Sequence, residues 1–307
     1  MEVPLHRCLR RHHRRRRGPA RRAAVGLSLR LLLVALVAAL LPSAGAPARA
    51  AGDEPLPSLT QVRAPAIDGV RRFGRTLTAD PGRWQPTPTT VRYRWYRDDV
   101  LISGVTSRSY RIRPDDVGHR ISVHVHAEAP SYRRTVGTAR TGLIAHRVDV
   151  RRTVRYSVRS KGRVPAVLGT FSRLAQQTYD DPRGWRGRGV RFVRVPSGGA
   201  FTLWLAEART VPGFSSGCSA EWSCRVGRNV IINLTRWRNA SPAWNRAGGS
   251  LRDYRHMVVN HETGHFLGRG HVGCPRRGAP APVMMQQSKG LDGCRFNPWP
   301  TLAELRR

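Results

Sequence analysis

The sequence predicts an α+β domain over residues 150–307, preceded by a small all-β sandwich over residues 55–146. Three observations carry this reading. Residues 55–146 alternate polar and apolar side chains in short segments, with turn residues at roughly 8–12-residue intervals, as antiparallel strands do. From about residue 149 the period switches between 2 and 3.6 in the order β-α-β-β-β-α, which fits a twisted sheet backed by helices. The last of those helices and the turn that follows it carry three histidines and a glutamate at a spacing that core packing does not require.

Ahead of both stretches, residues 1–50 follow the order of a secretory signal peptide. A basic run from Arg7 to Arg22 precedes the apolar residues 31–41, and small residues end in Ala48-Arg49-Ala50. The apolar run is too short to cross a hydrocarbon core of about 30 Å, so a transmembrane anchor is not expected after cleavage. The expected location is secreted or cell-wall associated. Arg21-Arg22 is a weak match to a twin-arginine export signal.

Within the sandwich, strand-like segments include Arg75-Thr-Leu-Thr, Val91-Arg-Tyr-Arg-Trp-Tyr, Ser109-Tyr-Arg-Ile and Ile121-Ser-Val-His-Val-His. Trp95 falls in mid-strand between Arg94 and Tyr96 and is expected to fill the centre between two sheets. No cysteine pair spans this stretch, so packing alone must hold it. In the second domain, Val154-Arg-Tyr-Ser-Val-Arg reads as a strand. Residues 166–179 read as a helix on the spacing of Val167, Leu168, Phe171, Leu174, Ala175 and Tyr179. Residues 189–195, 201–206 and 229–234 read as further strands, and residues 254–267 as a helix ending at Gly268.

The formal charge of +35 is almost all arginine, since Lys161 and Lys289 are the only lysines among the 307 residues. Such arginine excess accompanies a GC-rich coding sequence. It also implies attraction to polyanions such as acidic cell-wall polymers. No nucleic-acid-binding module is recognisable, so no specific nucleic-acid partner is expected. Cys8 leaves with the leader, and Cys218, Cys224, Cys274 and Cys294 remain. An even count in an exported chain reads as two disulfides, with three pairings open. The simplest joins near neighbours, Cys218–Cys224 and Cys274–Cys294. Thiolate metal ligands are the rival reading, but neither pair has finger-like spacing.

The run His261-Glu-Thr-Gly-His265-Phe-Leu-Gly268-Arg-Gly-His271 carries the chemistry. Positions i and i+4 share one helix face, so His261 and His265 can offer nitrogens to one ion. Gly268 can take the left-handed conformation that ends the helix and turns the chain back, bringing His271 round as a third ligand. Three imidazoles leave a fourth position open, as in hydrolytic Zn2+ sites, and Glu262 projects where a general base is needed. From the chain's own composition the five fixed residues should coincide by chance roughly 3 times in 100,000 such sequences, which argues against accident.

This eleven-residue run resembles the signature of the metzincin superfamily of zinc metallopeptidases. The turn beneath the metal in that family carries a methionine, and Pro282-Val-Met284-Met285-Gln-Gln stands in the corresponding place. The resemblance assigns Met284 to that turn, with Met285 as alternate. Residues 150–300 further resemble a family of exported proteins of high-GC Gram-positive bacteria. Its features here are Asp181-Pro-Arg-Gly-Trp185, Val230-Ile-Ile-Asn233-Leu, Asn260, Cys274-Pro and Asn297-Pro-Trp-Pro300. Residues 55–146 resemble bacterial immunoglobulin-like modules through Gly82-Arg-Trp84, Tyr93-Arg-Trp95 and Asp115-Asp-Val-Gly118. Together these resemblances imply a zincin-like catalytic domain preceded by an immunoglobulin-like sandwich. The implied activity is a secreted zinc-dependent metalloendopeptidase acting on protein or peptide, with one Zn2+ on His261, His265 and His271. Alternatives are a wall-associated binding protein with a non-catalytic metal site and a zinc amidase acting on peptidoglycan. By the same analogy residues 229–234 form the strand that pairs with extended substrate, a Cys274–Cys294 bridge clamps the ligand loop to the methionine turn, and Tyr254 is structural.

Overall fold

Alternation in residues 55–146 sends every second side chain inward, and the computed structural model shows where those side chains meet. It describes residues 54–164 and 167–306, a mixed α/β architecture containing four sheets. The leader expected over residues 1–50, with Cys8, lies outside the described residues. From Pro55 onward the chain forms one compact unit, although strands before and after residue 150 pair only among themselves.

The first nine strands are β1 (Thr60–Arg63), β2 (Ala66–Asp68), β3 (Thr76–Asp80), β4 (Arg83–Gln85), β5 (Thr90–Arg97), β6 (Val100–Leu101), β7 (Ser109–Arg111), β8 (Arg120–Glu128) and β9 (Thr135–Leu143). Two antiparallel sheets, ordered β2-β3-β7 and β6-β5-β8-β9, share one core, and β1 pairs with β4 apart from them. Trp95 lies at the centre of that core, fully buried, stacked on Tyr110 and donating its indole N–H to the Ser107 carbonyl at 2.9 Å. Removing a ring of this size from water is worth several kcal/mol at about 25 cal/mol per Å2. A buried carboxylate supplements it. Asp116 accepts hydrogen bonds from the Tyr110 hydroxyl (2.6 Å), the Arg97 Nε (2.8 Å) and the Arg113 backbone N–H (2.6 Å). A carboxylate so fully satisfied costs little to bury and joins three segments without a disulfide.

Beyond residue 150 the order is β10 (Arg152–Lys161), α1 (Leu168–Asp180), β11 (Val190–Arg194), β12 (Phe201–Ala206), β13 (Cys224–Val226), β14 (Asn229–Asn233), α2 (Leu234–Asn239), α3 (Pro242–Arg246), α4 (Leu251–Phe266) and α5 (Leu302–Arg306). These strands form one sheet in the order β11-β10-β12-β14-β13, parallel except for β13 at the edge. The sequence reading lacked β13, α2, α3 and α5, all of them too short to show a period. It also ran the last strand through Leu234. Asn233 instead caps α2, its Oδ1 accepting from the N–H groups of Thr235 and Arg236, so the chain turns helical one residue early.

The substrate-strand expectation needs correction. Strand β14 is hydrogen-bonded on both sides, to β12 and to β13, and has no free edge to offer. The three-residue strand β13 occupies the sheet edge instead.

Helix α4 begins three residues before the position read from periodicity. Ser250 caps it, its Oγ accepting from the Asp253 N–H at 3.0 Å. Gly268 lies at φ 83° just beyond its C-terminus, as its sequence position predicted. The helix packs against α1, α2, β13 and β14, which explains why an unbroken run of buried residues replaces a single apolar stripe. The hydroxyls of Tyr179 and Thr263 are 2.9 Å apart and bind α1 to α4.

His256 of α4 is buried, its Nδ1 2.9 Å from the Thr178 hydroxyl and its ring 4.4 Å from Trp299. Burial pushes its pKa down to about 4, and burial does the same at His146. Both rings are neutral in the folded chain but take a proton on unfolding anywhere between pH 4 and 6.5. Stability is therefore present above about pH 6.5 and declines as pH falls toward 4, at up to ~1.4 kcal/mol per pH unit for each proton. Urea unfolding of wild type and His256→Gln across pH 4–7 checks this. The variant's stability should fall less steeply, by up to one proton's worth of slope, and an identical slope would refute the assignment.

Candidate metal centre

On α4, one helical turn places His261 and His265 on the same face. Beyond it, the left-handed Gly268 reverses the chain and brings His271 back over that face. The three Nε2 atoms form a near-equilateral triangle with sides of 3.2 Å (His261–His265), 3.2 Å (His261–His271) and 3.1 Å (His265–His271). A tetrahedral ion bound to nitrogen at 2.0–2.1 Å needs nitrogens about 3.3 Å apart. The triangle fits such an ion, and all three histidines line an open cleft. Among the described residues these are the only three His, Cys, Asp or Glu side chains grouped as a possible metal site.

What aims the rings is the backbone. The Nδ1 of His261 lies 2.8 Å from the Val283 carbonyl, and the Nδ1 of His265 lies 2.7 Å from the Arg269 carbonyl. Each carbonyl accepts the Nδ1 proton, leaving a bare Nε2 lone pair pointed at the triangle centre. Burial holds all three pKa values below the ordinary histidine range, that of His261 down to about 3. The rings are therefore neutral, as ligands must be.

Val283 belongs to the Met284 turn, and that turn reaches α4 at Gly264. A Cβ at Gly264 would overlap the Met284 sulfur and come within 2.9 Å of the Trp185 ring. Glycine is required here for close approach rather than for backbone freedom, since the residue is helical. Met284 is buried beneath the ligands, whereas Met285 joins a separate cluster beside the Cys274–Cys294 bridge. The turn is anchored from the far end of the chain. The Glu304 carboxylate of α5 accepts from the backbone N–H groups of Val283 (3.1 Å) and Met284 (2.9 Å). Gln287, fully buried, donates to the carbonyls of Pro282 and Asn297. None of Gly264, Glu304 or Gln287 stood out in the sequence. Only a glycine between two ligand histidines and a lone acid in an arginine-rich C-terminus marked them.

Both disulfides join near neighbours, Cys218 to Cys224 and Cys274 to Cys294. The second ties the segment after His271 to the segment after Met284. The first closes the loop that leads into β13, and Asn233 holds that loop by donating to the Ala220 carbonyl at 2.8 Å.

The triad opens into a cleft of roughly 560 Å3. Its walls include Ser223, Cys224 and Arg225 from the β13 side and Gln286, Ser288 and Lys289 after the methionine turn. Ser288 is held by the buried Tyr254, their hydroxyl oxygens 2.9 Å apart. Glu262 is buried and lines the same cleft. Burial alone pushes its carboxyl pKa up to about 8, so it holds a proton at neutral pH until a nearby cation favours the ionised form.

Two outcomes follow from this geometry. An alanine at position 264 would raise intrinsic helix propensity by about 1 kcal/mol, but the overlap with Met284 costs about 1–3 kcal/mol. Gly264→Ala should therefore be destabilised in chemical denaturation and should retain metal poorly; a stabilised variant would contradict the packing described. Uptake of Zn2+ at pH 7 should release about one more proton from wild type than from Glu262→Gln, because the histidines are already neutral. Calorimetric titration in two buffers of different ionisation enthalpy measures the difference, and equal release would show that Glu262 does not hold that proton.

Residues 130–301 match the model of a family described as "Protein of unknown function (DUF3152)". The match starts just before β9, includes every strand of the second sheet and the metal triad, and spans more than half of the chain. The chain belongs to this family. No curated protein matches it.

Proposed function

We propose that this member of the DUF3152 family is an exported zinc-dependent metalloendopeptidase of metzincin type. The observation that carries the reading is the triangle of Nε2 atoms beside a buried glutamate in an open cleft. Three neutral nitrogen donors with a free fourth position suit Zn2+, and a site that only held metal would have no use for Glu262. Zinc held there would supply Lewis-acid activation of water and of the scissile carbonyl.

The chain's own residues do the rest. A carboxylate oxygen of Glu262 takes the proton of the attacking water and passes it to the leaving amine nitrogen. Low polarity around Glu262, which raises its pKa, brings it toward neutral pH, where one group can both accept and donate. Strand β13 offers its outer edge beside the triad, and an extended peptide laid along it would gain main-chain hydrogen bonds. Ser288, held by Tyr254, puts a hydroxyl in the cleft wall, and this is the group proposed to donate to the carbonyl oxygen as it becomes negative. The antiparallel edge strand, the active-site helix and the Met284 turn agree with a zincin-like domain. The N-terminal sandwich, proposed as immunoglobulin-like, is read as a spacer or wall-adhesion module. Export is inferred from the leader pattern and agrees with two disulfides.

The paired test measures metal content and turnover separately. Mature protein should carry one Zn2+ per chain and cleave members of a mixed peptide library. His261→Ala should lose the metal. Glu262→Gln should keep it and lose turnover by about 100-fold or more. Stoichiometric zinc without any Glu262-dependent cleavage would overturn the peptidase reading in favour of a binding protein.

A further inference from the structure

We infer that the cleft selects a substrate carboxylate beside the scissile bond, an inference that rests on the hydrolytic reading above. The cleft walls contain three cations, Arg225, Arg269 and Lys289, and Glu262 is their sole acidic residue. Lys289 and Arg225 approach the triad from different walls. Lys289 follows the methionine turn and its charge acts on His261 and His271, while Arg225 projects from β13 and acts on His265. Both side chains are exposed to the cleft, and neither forms an ion pair among the described residues.

Asp292 and Glu221, the acids closest in sequence to Lys289 and Arg225, form no ion pair with them and do not line the cleft, and two further acids are committed elsewhere. Glu304 is held by the backbone of the methionine turn, and Glu207 pairs with Arg209. Glu262 is buried, and the proposed reaction commits it to the proton of the attacking water. Two cations without an ion-pair partner thus line the cleft in which a peptide bond would be cut. An anionic group on the substrate gains attraction from them, whereas a cationic group meets like charge. Charge of this kind is abundant on an arginine-rich surface; what is specific here is its placement around the triad with no acid to cancel it.

The carboxylate can belong to an acidic side chain or to a free C-terminus, and two peptide sets separate these sources. The first is a C-terminally amidated random library in which Asp and Glu occur at every position. The second is a set of neutral peptides with free or amidated C-termini. Zinc-loaded wild type should enrich Asp or Glu at a fixed position near the cut in the first set, or cleave only free-terminus members of the second. Lys289→Ala and Arg225→Ala should each raise KM for the preferred peptide about two- to fivefold, an effect that shrinks at high salt. Lys289→Glu should move the preference toward Lys and Arg. Arg83→Ala, a charge loss on the sandwich, should leave KM unchanged. Cleavage without carboxylate preference, or a preference insensitive to both cleft substitutions, overturns the inference while leaving the peptidase intact. If no peptide is cut, binding of a fluorescent Glu-containing peptide and its Gln counterpart to zinc-loaded Glu262→Gln still decides. Tighter, salt-sensitive binding of the Glu peptide that is lost in Lys289→Ala supports carboxylate recognition, and equal binding of the two refutes it.

Discussion

Helix α4 and the Met284 turn touch at Gly264 with no space for a side chain between them, and the metal triad depends on that contact. Because the turn reaches the helix there, the Val283 carbonyl comes within hydrogen-bond distance of His261 and fixes its tautomer. A turn pushed outward by a single methyl group would withdraw that carbonyl and turn the ring away from its partners. The turn is itself held by amide bonds to Glu304 and by the buried Gln287. Support for the site thus runs from the last helix through the turn to the imidazole, and each link is a hydrogen bond with a definite direction.

The opposite side of α4 is equally constrained. Tyr179, Thr263, Trp185 and Asn260 join it to α1 and the segment that follows, with Trp185 donating to the Asn260 carbonyl at 2.9 Å and Asn260 donating to the Pro298 carbonyl at 3.0 Å. A helix clamped on several faces resists rotation, which holds His261 and His265 aimed at a common point. This matters energetically, because a site already shaped for its ion does not expend binding free energy on ordering it. The same burial that locks the helix also raises the Glu262 pKa and lowers those of the histidines. Packing and acid–base behaviour here have one cause.

Charge separates the two ends of the molecule's chemistry. In the sandwich a buried Asp116 is fully paired and serves cohesion. Around the triad Arg225 and Lys289 are exposed and form no ion pair among the described residues, and they bear on what enters the cleft. The high arginine content therefore has different consequences at different places, and composition alone does not separate them.

Several features were legible before any coordinates. Period-2 alternation located β3, β5, β7 and β8, and helical spacing located α1 and α4, since long or strongly patterned elements bury one face and leave that mark in the residues. The three histidines, Glu262, Gly268 and the Met284 turn lie within 24 residues of one another, so local geometry and motif spacing were enough to propose them. Tertiary structure alone decided the rest. It moved the sheet edge from β14 to β13, because which strand is left unpaired depends on neighbours distant in sequence. It also revealed Glu304 on the Met284 amides and Met284 against Gly264, contacts across 20 residues, where a side chain's role follows from what the fold brings beside it rather than from its local pattern.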